Sequence, residues 1–135
     1  MSGYVNKRLF QGFIILHILH HASETPVFGS WLMEELSEHG YKLSPGTLYP
    51  ILHHLEKEQL LEQYEENVNG KIRKYYVTTE AGKAELAASK KYLAELIQEI
   101  GVKGNGANGA DAHGADEHKT DANETDTREV NRKNV

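Results

Sequence analysis

The sequence has 135 residues, no cysteine and a formal net charge of −5 at pH 7. This length fits one small domain with extra segments, and the lack of cysteine excludes disulfides and thiolate metal sites. The acidic total does not exclude a nucleic-acid partner, because seven acidic and four basic residues follow Gly104, so that segment carries −3 of the −5.

The chain begins with an apolar run, MSGYVNKRLFQGFIILHILHH. Gln11, Gly12 and His17 interrupt the run, no small-residue cleavage site follows it, and it is too short to span a bilayer. We therefore predict a soluble, cytoplasmic protein with no signal peptide and no membrane partner.

Part of this run, from about Asn6 to His21, is predicted to form a first helix that is apolar on nearly every side. Such a helix must be covered on more than one face, so we expect Phe10 and Ile14 to contact a second copy of the chain. A second helix is predicted from Gly29 to His39, where Gly40 is placed to end it in a left-handed cap.

The segment SPGTLYPILHHLEKEQLL predicts a third helix that begins with residues of low helix propensity. Ser44 followed by Pro45 is typical of a helix start, because serine caps free amides and proline at the first position loses no helical hydrogen bond. Apolar residues at helical spacing form the buried face: Leu48, Ile51, Leu52 and Leu55. The opposite face, a candidate for contact with a nucleic acid, contains Ser44, Gly46, Thr47, Tyr49, Pro50, His53 and Lys57. This face is slim, and its N-terminal end carries the positive end of the helix dipole, which favours a phosphate.

A β-hairpin is predicted next, with strands from Leu60 to Glu66 and from Lys71 to Thr78 joined by the tight-turn pair Asn69-Gly70. Three basic residues lie just past the turn: Lys71, Arg73 and Lys74. Two helices, an N-capped third helix and a hairpin with a basic tip follow one another in the order of a winged helix-turn-helix. We therefore predict a DNA-binding domain over residues 1–79, mainly α with a β-hairpin wing, in which the basic tip is a second DNA contact.

The last predicted helix runs from about Glu80 to Gly101, within a segment, residues 80–103, that we assign to dimerisation. Its apolar residues approximate a heptad seam: Leu86, Leu93, Leu96, Ile97 and Ile100. A long terminal helix with such a seam, on a domain with a modest core, favours pairing with a second copy.

Residues 104–135 form an acidic tail that is rich in Gly, Ala, Asp and Asn. The tail contains no aromatic residue and only Val130 and Val135 among the large aliphatic residues. It cannot bury enough apolar surface to offset the entropy of ordering it, so we predict that it is disordered.

The segment SPGTLYPILHHLEKEQLL, followed by NGKIRKYYVTTEAGKAEL, resembles the PadR family of bacterial transcriptional regulators over roughly residues 6–100. The resemblance implies a homodimer that binds an inverted repeat on double-stranded DNA through a winged helix, and usually a repressor that a small-molecule inducer releases. A single helix after the wing matches the short subgroup of the family. The family's DNA-contacting positions fall on Ser44, Gly46, Thr47 and Tyr49 in the third helix and on Lys71, Arg73 and Lys74 in the wing.

The histidines support an alternative, a metal-responsive regulator. His17 and His21 have the i,i+4 spacing of a metal pair, but the sequence fixes no third ligand. The other histidines considered are His20, His53, His54, His113 and His118. From the sequence we assign no metal ligand and no cofactor.

A protein-interaction module without DNA binding is a further alternative, which explains the final helix but not the basic hairpin tip. An enzyme is not expected, because the sequence shows no nucleophile–base–acid arrangement and we assign no catalytic residue. The glycine-rich GNGANG after the last helix is not framed by a strand and a helix as a phosphate-binding loop is.

Overall fold

The computed structural model describes residues 3–101. The tail predicted over residues 104–135 lies outside the described residues. The chain divides into two compact units, of which the first ends at Ala87 and the second starts at Ala88. Among the described helices, none is long and apolar enough to cross a membrane.

The order of helices and strands confirms the predicted winged helix-turn-helix. The elements of the described residues are α1 (Tyr4–Glu24), β1 (Val27–Phe28), α2 (Gly29–Glu38), α3 (Pro45–Lys57), β2 (Leu61–Val68), β3 (Lys71–Thr78) and α4 (Glu80–Ile100). The four predicted helices and the hairpin are all present, and their ends differ from the predictions by a turn of helix or less.

The largest difference is at the end of α1, which continues past His21 to Glu24. It stops there because Pro26 disfavours the helical conformation at the residue before it. Thr25 is accordingly extended, with φ −165° and ψ 153°, and its N–H donates to the His21 carbonyl at 3.3 Å. The proline therefore turns the chain from α1 directly into β1.

The end of α2 confirms the predicted left-handed cap. Gly40 has φ +93°, a conformation that glycine adopts without steric cost. The Tyr41 N–H donates to the Leu36 carbonyl at 2.9 Å, and the Gly40 N–H donates to the Ser37 carbonyl at 3.0 Å. These two bonds satisfy carbonyls that the helix end would otherwise leave open.

Strand β3 is central in a three-stranded antiparallel sheet with the order β1-β3-β2. Val27 and Phe28 of β1 lie opposite Tyr76 and Tyr75 of β3. The sequence did not predict β1, because a two-residue strand has no periodicity of its own. This short strand matters because α2 starts immediately after it, so the start of α2 and the wing are joined through one sheet.

The core of the first unit collects residues from α1, α2, α3 and the sheet. Six of its side chains are fully buried, with 0% exposure: Ile18, Leu32, Leu36, Leu48, Leu52 and Tyr76. Burial, and then the Glu56 carboxylate, raise the pKa of Tyr76, so its hydroxyl is neutral at physiological pH. The buried Thr78 hydroxyl donates to the Leu19 carbonyl at 2.8 Å and so ties β3 to α1.

Two of the seven residues predicted for a dimer interface are buried in this core of the single chain. Ile14 and Leu86 are each only 7% exposed, because they pack against the other buried residues of the first unit. The other five keep exposed or partly exposed surface and remain candidates for a contact with a second copy: Phe10, Leu93, Leu96, Ile97 and Ile100.

The start of α4 is fixed by Thr79 and Gly82. The Thr79 hydroxyl accepts a hydrogen bond from the Gly82 N–H at 3.0 Å and donates to the Gln59 carbonyl at 2.8 Å. A Cβ at residue 82 would overlap the Leu60 carbonyl and the Thr78 methyl group. Glycine is therefore required at this position because the helix starts against the backbone that precedes β2.

Replacing Gly82 with alanine should lower the free energy of unfolding by about 1–3 kcal/mol, although alanine normally favours a helix. The reason is the overlap with backbone, which cannot move as a flexible side chain can. Urea denaturation measures the change. The control is Lys83→Ala, which removes only an exposed ion pair with Glu80 and should cost no more than a few tenths of a kcal/mol. Equal stability of the two variants would contradict the close contact.

Candidate nucleic-acid interface

One face of α3 is buried and the other is exposed, as the spacing of its apolar residues predicts. Leu48, Leu52 and Leu55 are buried. Six of the seven predicted recognition-helix residues are exposed: Ser44, Gly46, Thr47, Pro50, His53 and Lys57. The helix continues through Pro50, because the buried leucines hold it against the core although Pro50 cannot donate to the Gly46 carbonyl.

The N-terminus of α3 is closed by the backbone of Ser44 and not by its side chain. The Ser44 carbonyl accepts from the N–H groups of Thr47 and Leu48 at 3.0 and 2.9 Å. The expected side-chain cap is wrong, since the Ser44 hydroxyl lies 3.4 Å from the Thr47 hydroxyl and caps no amide of the described helix. Pro45 has no N–H, so the exposed tip offers two hydroxyl groups and the Gly46 amide to a ligand.

Tyr49 differs from the other residues of the recognition face because it is half-buried. Its ring packs against the core, and its hydroxyl lies against Gly29 at the start of α2. A Cβ at residue 29 would overlap that hydroxyl and the ring carbon that bears it. Tyr49 therefore fixes α3 against the start of α2 and is less exposed than the other residues of the predicted recognition face.

The wing turns at Asn69 and Gly70, as the sequence predicted. Both residues have positive φ, 55° and 84°, as the two central residues of a type I′ turn require. The Asn67 side-chain carbonyl accepts from the Gly70 N–H at 2.9 Å and supports the turn. The turn thus places Lys71 at the very start of β3, at the tip of the wing.

The three wing bases have different surroundings. Arg73 is half-buried, and its guanidinium carbon lies 4.1 Å from the centre of the Phe28 ring, in a cation–π contact. Glu66 lies opposite Arg73 and Glu65 lies opposite Lys74 in the β2–β3 register, whereas Lys71 lies opposite Val68. Lys71 is therefore the wing base whose positive charge has no facing carboxylate across the described strand pair.

Aromatic residues brace the base of the wing. The rings of Tyr64 and Tyr75 stack with their centres 5.4 Å apart, and the ring centres of Phe28 and Tyr75 are 5.6 Å apart in an edge-to-face contact. Tyr64 and Phe28 face Tyr75 from the two strands that flank β3. These rings form a row across all three strands, and Arg73 packs on Phe28 at one end of the row. The packing stiffens the wing where its basic residues begin.

A cleft of about 750 Å³ lies between the start of α2 and the wing. Lys71, Arg73 and Lys74 line one side, and Gly29 and Ser30, the first residues of α2, line the other. The positive end of the α2 dipole and the three cationic side chains therefore act on the same volume, which favours an anion such as a phosphate. Sequence reasoning missed Phe28, Gly29 and Ser30 here, although the glycine at a helix start could have indicated a close approach.

The family model for "Transcriptional regulator PadR-like family" matches residues 18–88 of the chain. The chain belongs to the PadR-like family. It is 51% identical over 85 residues to "Transcriptional regulator Rv3488" from Mycobacterium tuberculosis, a match that covers 63% of this chain and 79% of that relative.

Solved PadR structures resemble this PadR-like chain in fold. A PadR family transcriptional regulator from Eggerthella lenta is 30% identical, with a TM-score of 0.64 over 72% of this chain and 86% of that chain. A PadR-like transcriptional regulator from Bacillus cereus is 29% identical, with a TM-score of 0.63 over 69% of this chain and 92% of that chain. The predicted family and the winged-helix fold are thus both confirmed.

Membership in the PadR-like family makes this chain a DNA-binding transcriptional regulator. Such regulators are generally not enzymes, and the alternative of an interaction module without DNA binding loses its support. The seven recognition-helix residues and the three wing bases therefore become candidates for specific roles in one DNA interface.

Replacing Gly29 with alanine in this PadR-like chain should lower the free energy of unfolding by about 1–3 kcal/mol, because the new methyl group displaces Tyr49. Adding Tyr49→Phe removes the nearest overlapping atom and should recover part of that loss. A double-mutant cycle measured by urea denaturation gives the coupling between the two residues.

The matched control for Gly29 is Gly46→Ala, whose Cβ has its nearest neighbour, the Ser44 hydroxyl oxygen, at an ordinary 3.7 Å. We expect this variant to be as stable as the natural chain or more so. Strictly additive losses for Gly29→Ala and Tyr49→Phe would contradict the contact between α2 and α3.

Proposed function

We propose that this PadR-like regulator acts in the cytoplasm as a homodimeric repressor that binds an inverted-repeat operator and is released by a small-molecule inducer. The observation that carries the DNA-contact part is the basic cleft that the wing shares with Tyr49 and the start of α2. Repression, the inverted repeat and the inducer are expected from the family resemblance.

The exposed face of α3 enters the major groove in this proposal. Gly46 has nothing closer than 3.7 Å to the position of a Cβ, so the tip of the helix is slim enough for close approach to base edges. The Ser44 and Thr47 hydroxyls donate to or accept from bases at that tip. Pro50, His53 and Lys57 follow on the same face, where Lys57 contacts the sugar–phosphate backbone.

The wing and the start of α2 hold the phosphate backbone. Lys71 makes the strongest phosphate contact because no carboxylate faces it, whereas Lys74 and Arg73 are partly balanced by Glu65 and Glu66. Arg73 is also held by its contact with Phe28, so it is pre-organised for binding. Tyr49 acts mainly by fixing the angle between α3 and α2, which sets the distance between the groove and the backbone contacts.

Pairing of two copies is supported by apolar residues that the protomer leaves exposed. On α4, Leu96 and Ile97 are each 48% exposed and Ile100 is 61% exposed. On α1, Phe10 is 43% exposed. Packing these side chains, together with Leu93, against a second copy would remove their apolar surface from water and so stabilise the dimer.

Lys71→Ala should weaken binding to every DNA sequence by a similar factor and lower the slope of log affinity against log salt by about one.

Thr47→Val keeps the shape of the side chain but removes its hydroxyl, so it should weaken specific binding by about 1–3 kcal/mol while binding to random DNA changes little. Titrations measure both, with an operator that the protein itself selects from a random duplex library and with a scrambled duplex, at several salt concentrations.

The control for these titrations is Lys83→Ala, which removes a lysine outside the cleft lining and should leave affinity and salt slope unchanged. If Thr47→Val loses the same factor on both duplexes, α3 does not read bases at its tip. If Lys71→Ala matches the control, the wing is not a phosphate contact.

Ile97→Glu should convert the dimer to a monomer at micromolar concentration, because an unpaired carboxylate would be buried in the seam. Operator affinity should fall at the same time, since one half-site is then bound alone. The matched control is Gln98→Glu, the same charge change at the adjacent exposed residue. Sedimentation velocity measures the mass, and a natural chain that sediments as a monomer at micromolar concentration would rule out the dimer.

A further inference from the structure

Two histidines of α1 meet a third, distant in sequence, between α1 and α2. His17 and His21 come from α1, and His39 follows the last residue of α2. One ring nitrogen from each lies within 4.8 Å of the other two. The rings of His17 and His39 stack at 4.6 Å and those of His17 and His21 at 6.0 Å, so the three imidazoles form a compact group.

Glu35 adds a carboxylate to this group. Its Oε2 atom lies 3.5 Å from His21 Nε2 and 3.3 Å from His39 Nε2. In a tetrahedral site with metal–ligand bonds of about 2.0–2.1 Å, neighbouring ligand atoms are about 3.3–3.4 Å apart. The carboxylate oxygen therefore already has the spacing to two imidazole nitrogens that a tetrahedral ion requires.

The group is buried on one side and exposed to solvent on the other, which suits a bound ion that exchanges with solvent. His21 is 1% exposed and the Glu35 side chain is 13% exposed, whereas the His39 side chain is 41% exposed. The ring centres of Trp31 and His21 are 5.4 Å apart in an edge-to-face contact, and those of Tyr41 and His17 are 5.6 Å apart. Trp31 and Tyr41 thus hold the rings of His21 and His17 in place. His39 is exposed, so an ion can reach the group from solvent on its side.

We propose that His17, His21, Glu35 and His39 form a binding site for one divalent transition-metal ion of the zinc type. Three imidazole nitrogens and one carboxylate suit zinc and its neighbours, whereas calcium and magnesium prefer sites made of oxygen ligands alone. The ligands form two i,i+4 pairs, one at residues 17 and 21 within α1 and one at residues 35 and 39 at the end of α2, so each pair lies on one side of its helix.

A second group of ligand atoms shares His21 and competes with this site. His20, His21 and Glu24 come together on α1 alone, with His20 Nε2 3.5 Å from Glu24 Oε2. Each group brings three ligand atoms together, but only the first has a further carboxylate, Glu35, beside two of its histidines. The first group also links two helices, so an ion bound there gains the pre-organisation of a packed helix pair.

Binding at the four-ligand site fixes α2 against α1. The ion binds the folded chain and not the unfolded one, so it raises the free energy of unfolding by mass action. This gives the metal-responsive alternative of the sequence analysis a defined position, which the sequence could not supply because His17 and His39 are far apart along the chain.

The test is zinc binding to the full-length chain, without a polyhistidine tag, after chelator treatment. Tail residues His113 and His118 are replaced by glutamine in every variant to remove competing ligands. Calorimetric titration should give one zinc ion per chain together with a zinc-dependent rise in melting temperature. His39→Gln and His17→Gln should each lower the affinity by more than about tenfold and abolish that rise. His39 is exposed, so its variant should keep the metal-free melting temperature and show that the fold is intact.

The matched control is His54→Gln, which alters an exposed histidine in another i,i+4 pair, with its Nε2 4.0 Å from Glu58 Oε2. It should bind zinc as the natural chain does. The proposal is overturned if the natural chain binds no zinc, if His17→Gln and His39→Gln bind it normally, or if His20→Gln alone abolishes binding. No DNA is present in this assay, so its failure leaves the DNA interface untouched, and loss of DNA binding leaves the metal site untouched.

Discussion

Hydrogen bonding of β3 on both edges is the constraint on which the rest of this structure depends. One edge takes β2 and makes the wing, and the other takes the two residues of β1, directly before α2. The first residues of α2 must therefore lie beside the wing, and Arg73 of β3 packs on Phe28, the residue directly before them. Tyr76 of β3 stabilises this sheet because its side chain is fully buried in the core. A wing paired on one edge alone would leave its bases free to move and would hold no cleft.

The poor helix formers at the start of α3 are tolerated because packing offsets their cost. A Gly46 in a helix costs about 1 kcal/mol and a proline inside a helix about 3 kcal/mol relative to alanine. Leu48, Leu52 and Leu55 are nearly or fully buried, and each contributes about 1.5–3 kcal/mol by leaving water. The slim, rigid tip is thus supported by the opposite face of the same helix, and the exposed face is free to be selected for contact with DNA.

Local chemistry allowed most element boundaries to be predicted, and long-range contacts account for what was missed. Ser44-Pro45, Asn69-Gly70 and Gly40 act within a few residues, so their effect is visible in the sequence. Strand β1 exists because Val27 and Phe28 pair with a strand nearly fifty residues away, which no local pattern reveals. Tyr49 is half-buried because Gly29 leaves room for its hydroxyl. Similarly, His17 and His21 showed metal spacing, but Glu35 and His39 join them only when α2 folds onto α1.

The two candidate sites share one short helix, α2. Gly29 and Ser30 at its start line the cleft beside the wing, and Glu35 and His39 at its other end approach the histidines of α1. Ten helical residues span only about 15 Å, and a helix of this length behaves as a stiff rod because each turn is hydrogen-bonded to the next. A small rotation of α2 at the histidine end therefore moves its amides at the cleft end by a comparable distance. Tyr49 carries the same motion to α3, since its hydroxyl lies against Gly29. The contact between α1 and α2 therefore bears on the orientation of α3, the helix that carries the proposed recognition face.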